Sequence, residues 1–365
     1  MKQKKLVYYF LILSISLTLL LPVLNLSFAY KYKKINLQSF SKQQLFSTDN
    51  FESIRNYLVY KIFNFSLNES QVIVGKDDFF FLGNGFGGII DKSKGTFSYT
   101  NKEIDIWTSK LKKLQDWYEN QGIQFIVVVA SNKHTVYSDK LPDGILYKEG
   151  ETITDDMVNY LLRKDIHVLN LKKALREKKQ EKQLFFRTDT HWNNYGAHIG
   201  YINTLEYLNA TYGENYRVAE YNMTETTKSG GGDLTNFLKI NHLLSNNYEK
   251  NYSLIFKNKS QLCYGIITKT NKLKKCSPGI KNKFNQYSIN KSAPNKEKLL
   301  YFCDSFGLAN SQLYQETFNT VWRFHLAYKS EVGLAGFIQE NKPDIVIYQV
   351  VERELSNNYY NIPHK

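Results

Sequence analysis

The chain has 365 residues, 42% hydrophobic and 22% charged, with 48 basic against 34 acidic side chains and a formal net charge of +14. These proportions belong to a globular protein long enough to bury a full core, which excludes disorder over the whole chain; six prolines and 20 glycines exclude collagen-like and proline-rich architectures. The basic excess is spread along the chain without a zinc-finger, RNP or helix-turn-helix pattern, so nucleic-acid binding is not expected.

Lys2, Lys4 and Lys5 precede an apolar run over 6–29, interrupted mainly by Pro22 and Asn25. As a helix this run reaches about 36 Å, enough to cross a bilayer. Two outcomes fit. Ser27-Phe28-Ala29 has small residues where a signal peptidase needs them, and with Pro22 it favours cleavage after Ala29. The length of the run favours an uncleaved anchor, and the balance falls to the anchor. Lys31, Lys33 and Lys34 blur the charge asymmetry across the span. Either outcome puts the working part outside the cytoplasm, in the periplasm or at the cell surface.

Residues 30–74 read as a polar stem with a first helix near 49–63. From residue 75 the pattern tightens into one domain reaching residue 365. Residues 78–82 (DFFFL) form a short strand closed by Gly83-Asn84-Gly85. Residues 103–120 have helical spacing through Ile106, Leu111, Leu114 and Trp117, ending before Gly122. Residues 124–130 (QFIVVVA) are a continuous apolar, β-branched run, as a strand buried on both faces requires. A helix over 154–163, a strand over 166–169 and helices over 171–177 and 195–208 follow. Residues 299–303 (LLYFC) and 344–350 (DIVIYQV) are two further buried-type strands, with a helix over 331–339 between them. Strands alternating with helices predict an α/β fold with a parallel sheet covered on both faces. The stretch 210–297 breaks that rhythm; rich in Asn, Lys and Ser, it reads as an irregular, lid-like insertion. Asn-x-Ser/Thr triplets such as Asn64-Phe65-Ser66 and Asn258-Lys259-Ser260 are taken as accidents of an Asn-rich chain.

Of the three cysteines, Cys263 and Cys276 either close a short disulfide loop in an oxidising compartment or stay as buried thiols. No CxxC or Cys/His cluster points to structural zinc.

Two segments carry candidate chemistry. In Thr188-Asp189-Thr190-His191-Trp192-Asn193, Asp189 and His191 are two apart, so in extended backbone they point the same way. A carboxylate beside an imidazole fixes its tautomer and supports its charged form. Alone, such a pair is more often surface decoration. The second segment runs from the 299–303 strand into Asp304-Ser305-Phe306-Gly307. A serine just past a buried strand sits at the carboxyl edge of a parallel sheet, where α/β sites form. On position alone, helix capping is the stronger reading of Ser305. The G-x-S-x-G elbow is absent, which disfavours an ordinary α/β-hydrolase. Together the two segments supply nucleophile, base and orienter for acyl transfer, in the chain order Asp189, His191, Ser305.

With these motifs the sequence resembles the AlgJ/AlgX-type alginate O-acetyltransferases, whose domain is SGNH-hydrolase-like. TDTHWN at 188–193 and CDSFG at 303–307 match that family's D-x-H-W and G-D-S-F segments, with Cys303 in place of glycine. GKDDFFFLGN at 75–84, ASNKHTVYSDKLP at 130–142, GGDL at 231–234 and KPDIVIYQVVERELSN at 342–357 extend the likeness over roughly 70–357. The resemblance implies an SGNH-hydrolase-like parallel sheet flanked by helices. It implies Ser305 as the acylated residue, His191 as its base and Asp189 as the orienter, with Asp304 bracing the turn. The Ser305 amide would meet the oxyanion together with a side chain, Arg323 first and Asn132 second. Lys133 and Tyr137 would line the acceptor groove; His198 would be structural, and Cys303 would point into the sheet. The implied activity is acetylation of a polysaccharide outside the cytoplasm, with no metal or diffusible cofactor. The acetyl group would come from a membrane-bound O-acyltransferase partner. A carbohydrate esterase using the same residues, or a non-catalytic glycan-binding subunit of an export complex, are the alternatives.

Overall fold

The computed structural model describes residues 2–33, 41–244, 248–257, 262–277 and 284–363. The stretch 34–40 of the expected stem and the Asn258-Lys259-Ser260 triplet lie outside the described residues.

Helix α1, Lys2–Phe28, holds the apolar run. The helix over Lys4–Lys31 is long and apolar enough, by length and composition, to cross a membrane. The expected stem helix is α2, Asp49–Phe63. Two short strands follow, β1 (Val72–Val74) and β2 (Phe80–Leu82), paired antiparallel.

Helix α3, Asn101–Glu119, begins two residues before the apolar spacing alone predicts. The reason is a capping box, in which Thr100 and Glu103 satisfy each other's backbone N–H groups. Strand β3 (Gln124–Ala130), helix α4 (Ile153–Arg163), strand β4 (Val168–Asn170), and helices α5 (Lys172–Lys178) and α6 (Asn194–Tyr212) come next. A hairpin of β5 (Tyr221–Ser229) and β6 (Tyr248–Phe256) brackets the short helix α7, Asp233–Phe237. The chain continues through β7 (Cys263–Ile266), β8 (Gln286–Ile289), β9 (Asn295–Cys303), α8 (Gly307–Thr317), β10 (Phe318–His325), α9 (Leu334–Asn341) and β11 (Ile345–Val351).

Among the described residues, seven strands form the central sheet in the order β4-β3-β11-β9-β10-β8-β7. The first five run parallel. Alternate residues of each strand face opposite layers. Ile126, Val128, Leu299, Tyr301 and Ile347 meet Tyr201 of α6 and Leu313 of α8 on one face. Phe125, Val127, Leu300, Phe302 and Tyr348 meet Leu114 of α3, Leu161 of α4 and Phe337 of α9 on the other. This is why the strands read as unbroken apolar runs.

The expectation of an irregular insertion over 210–297 needs correction. β8 pairs antiparallel with β10 and β7 with β8, so part of that stretch extends the main sheet. β7 is the half-buried edge strand, and β8 is buried yet carries Gln286 and Ser288, so neither is the apolar run that announces a central strand. Cys263 and Cys276 are disulfide-bonded, with Cα atoms 5.5 Å apart, and Cys303 is a buried free thiol.

Candidate active site

The parallel strands end at a common edge, and the loops leaving β3, β9 and β11 meet there. In register, Cys303 pairs with Gln349, and Val351 pairs with Ala130. Asp304 binds two of these loops together: its carboxylate accepts the N–H of Phe306 at 2.8 Å and that of Val351 at 2.5 Å. Burial raises the Asp304 pKa, and those two N–H groups oppose the rise. Ser305 stands between, half-buried, on the wall of a cavity of about 430 Å³.

The segment carrying Asp189 and His191 reaches Ser305 from the other side. His191 Nε2 lies 2.9 Å from Ser305 Oγ, and its Nδ1 lies 2.7 Å from Asp189 Oδ1. The same Asp189 oxygen accepts the backbone N–H of His191 at 3.0 Å. Burial alone would raise the Asp189 pKa. The bonds from His191 and the charge on Lys133 outweigh that and hold it below the usual carboxylate range. Trp192 fastens this segment to the serine turn: its indole N–H donates to the Phe306 carbonyl at 2.9 Å. Its fully buried ring also packs edge-on to Phe306.

The loop is shaped by carboxylates from the 210–297 stretch. Glu249 of β6, almost fully buried, accepts the N–H groups of Arg187 and Thr188 at 2.8 and 2.7 Å and the Thr188 hydroxyl at 2.5 Å. Asp233, at the start of α7, accepts the N–H and hydroxyl of Thr190, both at 2.7 Å. Beside it, Gly232 lies so close to the loop that an added Cβ would come within 2.3 Å of Asp189 Cβ.

Asp189, His191 and Asp233 have donor atoms mutually within 4.8 Å, a set able to approach a cation. Asp189 Oδ1 and both Asp233 oxygens, however, already accept hydrogen bonds from the loop. This donor set therefore reads as a loop brace.

The other expected site residues fall elsewhere. Arg323, Asn132, Lys133 and Tyr137 are all buried, and none lines the cavity. Arg323 lies on the face of β10 turned toward β8, where its guanidinium donates to the Phe284 carbonyl and to Gln286. Lys133 donates to the carbonyls of Phe80 and Arg187 at 2.8 and 3.0 Å, and burial lowers its pKa to about 8. The Tyr137 hydroxyl accepts the Leu184 N–H, with its ring against Phe79. Asn132 acts at one remove: its carbonyl oxygen accepts from Arg353 at 2.8 Å, while its amide donates to Glu352 at 3.0 Å.

Arg353 does line the cavity, and its guanidinium lies over the Phe306 ring, 5.6 Å from the centroid. Sequence reasoning does not single out Glu249, Asp233 or Arg353. Asp233 and Arg353 lie inside the GGDL and VERELSN stretches, which carried the signal; Glu249 sits in a polar hairpin with no motif around it. His198 bonds to Tyr221, and burial of Cys303 pushes its thiol pKa up, so neither approaches Ser305 chemically.

The family model described as SGNH hydrolase-like domain, acetyltransferase AlgX, matches residues 72–254. A curated relative, the probable alginate O-acetylase AlgJ of Pseudomonas syringae pv. tomato, is 23% identical over 194 residues, 52% of this chain and 46% of the relative. The chain thus spans just under half the length of that relative. Among solved structures, Bacillus cereus PatB1 superposes with a TM-score of 0.59 at 17% identity, covering 80% of this chain and 99% of that one. The O-acetyltransferase domain of Pseudomonas putida AlgJ gives 0.50 at 16% identity, over 79% of this chain and 93% of that one. Together with the fold, the family match places this chain among the SGNH hydrolase-like acetyltransferase domains of the AlgX family.

Proposed function

We propose that this chain is an extracytoplasmic O-acetyltransferase that moves an acetyl group onto a polysaccharide hydroxyl through an acyl-serine intermediate. The observation that carries the reading is the unbroken relay on the cavity wall: Ser305 Oγ to His191 Nε2 at 2.9 Å, and His191 Nδ1 to Asp189 at 2.7 Å. Family membership supports the acetyl chemistry, and the membrane-length α1 supports export.

Ser305 Oγ attacks the carbonyl carbon of an acetyl donor while His191 Nε2 takes its proton. The negative charge that gathers on the carbonyl oxygen is met by the Ser305 N–H and by Arg353, the guanidinium on the cavity wall. Collapse expels the donor's leaving group, which receives the proton back from His191, and the acetyl group stays on Ser305. An acceptor sugar hydroxyl then takes the vacated position. His191 accepts its proton, the sugar oxygen attacks the acetyl-serine, and Ser305 leaves re-protonated. Asp189 holds the imidazole so that Nε2 faces Ser305 throughout. The family likeness supports a membrane-bound acyltransferase partner as the source of the acetyl group.

Ser305→Ala tests the reading. In a strain lacking the native gene, the variant is expected to leave the polysaccharide unacetylated while accumulating to the parent level. Trapping with an activated acetyl ester should add one acetyl group to the parent at Ser305 and none to the variant, read by peptide mass. Full acetylation by Ser305→Ala would end the proposal.

A further inference from the structure

Helix α2 and the turn after it expose an unusual run of large apolar side chains. Phe51, Leu58 and Ile62 are seven and four residues apart, so they share one helix face, and Phe63, Phe65 and Leu67, also exposed, follow directly in the chain. Each is between 44% and 71% exposed. Elsewhere in the catalytic domain the exposed large apolar residues are spread singly along the chain, as on any protein surface. The opposite side of α2 is an ordinary core-facing side, with Ser53 and Tyr60 buried and the Tyr60 hydroxyl donating to Asp78.

Two sets of contacts place this patch. One ties α2 to the apolar helix α1. Asn25, almost fully buried, donates to the carbonyls of Leu45 and Ser47 at 2.7 and 2.9 Å and accepts from Asn50 at 2.8 Å. The last turns of α1 are therefore held at the start of α2. The other set ties α2 to the cavity. Asn56 donates to the Leu238 carbonyl at 2.9 Å, and Lys239 pairs with Asp49 and Glu52 at 2.8 and 2.7 Å. Leu238 directly follows α7, whose Asp233 and Phe237 line the cavity with Ser305.

We infer that the exposed apolar face of α2 lies on the lipid surface from which α1 emerges, so that the Ser305 cavity is held beside the bilayer. Continuity with the membrane-length helix names the occupant. Arg55 and Lys61, both exposed on α2, supply the cations that suit a headgroup layer. The inference rests on α1 being a retained anchor, and it gives that anchor a second role. An acetyl group delivered at the membrane would meet Ser305 without crossing open solvent.

The test uses the full chain in liposomes of phosphatidylethanolamine and phosphatidylglycerol. Single substitutions Leu58→Cys and Ile62→Cys are labelled with an environment-sensitive fluorophore, with Leu162→Cys on α4 as the exposed control. Labels at 58 and 62 are expected to be quenched by nitroxide-bearing lipids at least threefold more than the control, and to be shielded from aqueous iodide. Iodide quenching equal to the control would overturn the inference. So would shielding from both quenchers, which would mean that a second copy covers the face. Intact mass of the purified chain reports the anchor separately: loss of 1–29 overturns both the anchor and the inference. None of these readouts needs turnover, so Ser305→Ala protein should give the same quenching pattern whatever the fate of the catalytic reading.

Discussion

Asp189 does two things with one oxygen. Its Oδ1 accepts from the His191 ring and from the His191 backbone, so it fixes both where the imidazole sits and which nitrogen carries the proton. Asp189→Asn keeps the size and the backbone bond but offers the ring no anionic acceptor, so the wrong tautomer becomes competitive. Acetyl transfer is expected to fall by at least roughly a hundredfold with the thermal midpoint nearly unchanged; equal turnover would refute the orienting role. Arg353 is a second residue-scale case. Its guanidinium donates to Asn132 while lying over the Phe306 ring, and Lys lacks the forked group that does both. Arg353→Lys and Arg353→Gln should both lower the rate of acyl-enzyme formation, Gln by about a hundredfold, while leaving the Ser305–His191 pair intact. If single-turnover acylation is unaffected by either change, the charge does not face the reacting oxygen. The serine, histidine and aspartate were readable because their residue types and spacing are themselves chemical statements. The arginine on the cavity wall was not, because an arginine's position in sequence says nothing of which way the chain turns it. Arg323 lies within β10 and Arg353 just past β11, and of the two Arg353 reaches the cavity.

At the scale of elements, the instructive piece is the stretch expected as a lid. Its hairpin and α7 hold the loop that carries Asp189 and His191, and α7 also lines the cavity. Glu249 gathers the N–H groups of residues 187 and 188, and Asp233 gathers that of residue 190. A loop with its donors taken in this way has few other conformations open to it. Gly232 is where the two pieces come closest. A Cβ there would meet the Asp189 Cβ at 2.3 Å, its Cα at 2.5 Å and the Thr188 carbonyl at 2.6 Å. Backbone on both sides has no room to yield, so Gly232→Ala should push Asp189 away from His191. The expected result is a loss of activity comparable to Asp189→Asn with far-UV circular dichroism unchanged; wild-type turnover would show that the two segments are free to separate. The central strands were legible because burial on both faces forces unbroken apolar runs, as in 124–130 and 344–350. β7, β8 and the hairpin were not, because none is the apolar run of a central strand, β8 carrying polar residues even where buried, and their pairing is fixed by partners distant in sequence.

For the whole molecule, the sheet edge that builds the site also makes stability depend on pH, and Glu352 is one instance. It follows β11, half-buried, its carboxylate accepting from the Asn132 amide and the Thr135 hydroxyl. Burial raises its pKa from 4.5 to about 7, and those two donors pull it only part of the way back. A carboxyl whose pKa is higher in the folded state binds protons more tightly there. Its contribution is therefore fully present below about 4.5 and is lost as pH rises through about 7. Asp189 runs the other way: its lowered pKa contributes stability above the ordinary aspartate range that is lost on acidification. Glu352→Gln keeps an oxygen for Asn132 and Thr135 but cannot ionise. Relative to the parent it should gain stability between about pH 5 and pH 8, on the order of 2 kcal/mol. Denaturant unfolding of parent and variant in detergent at the two pH values measures this directly. A difference that is the same at both would mean that Glu352 stays ionised in the folded chain. In that case Arg353, its neighbour in sequence and a fellow partner of Asn132, would be balanced by a fixed negative charge, and acylation should show no Glu352-dependent pH step. A Glu352 that is neutral at low pH instead adds its negative charge next to Arg353 only as it ionises, so acylation by the parent should show a step near pH 7 that the Gln variant lacks.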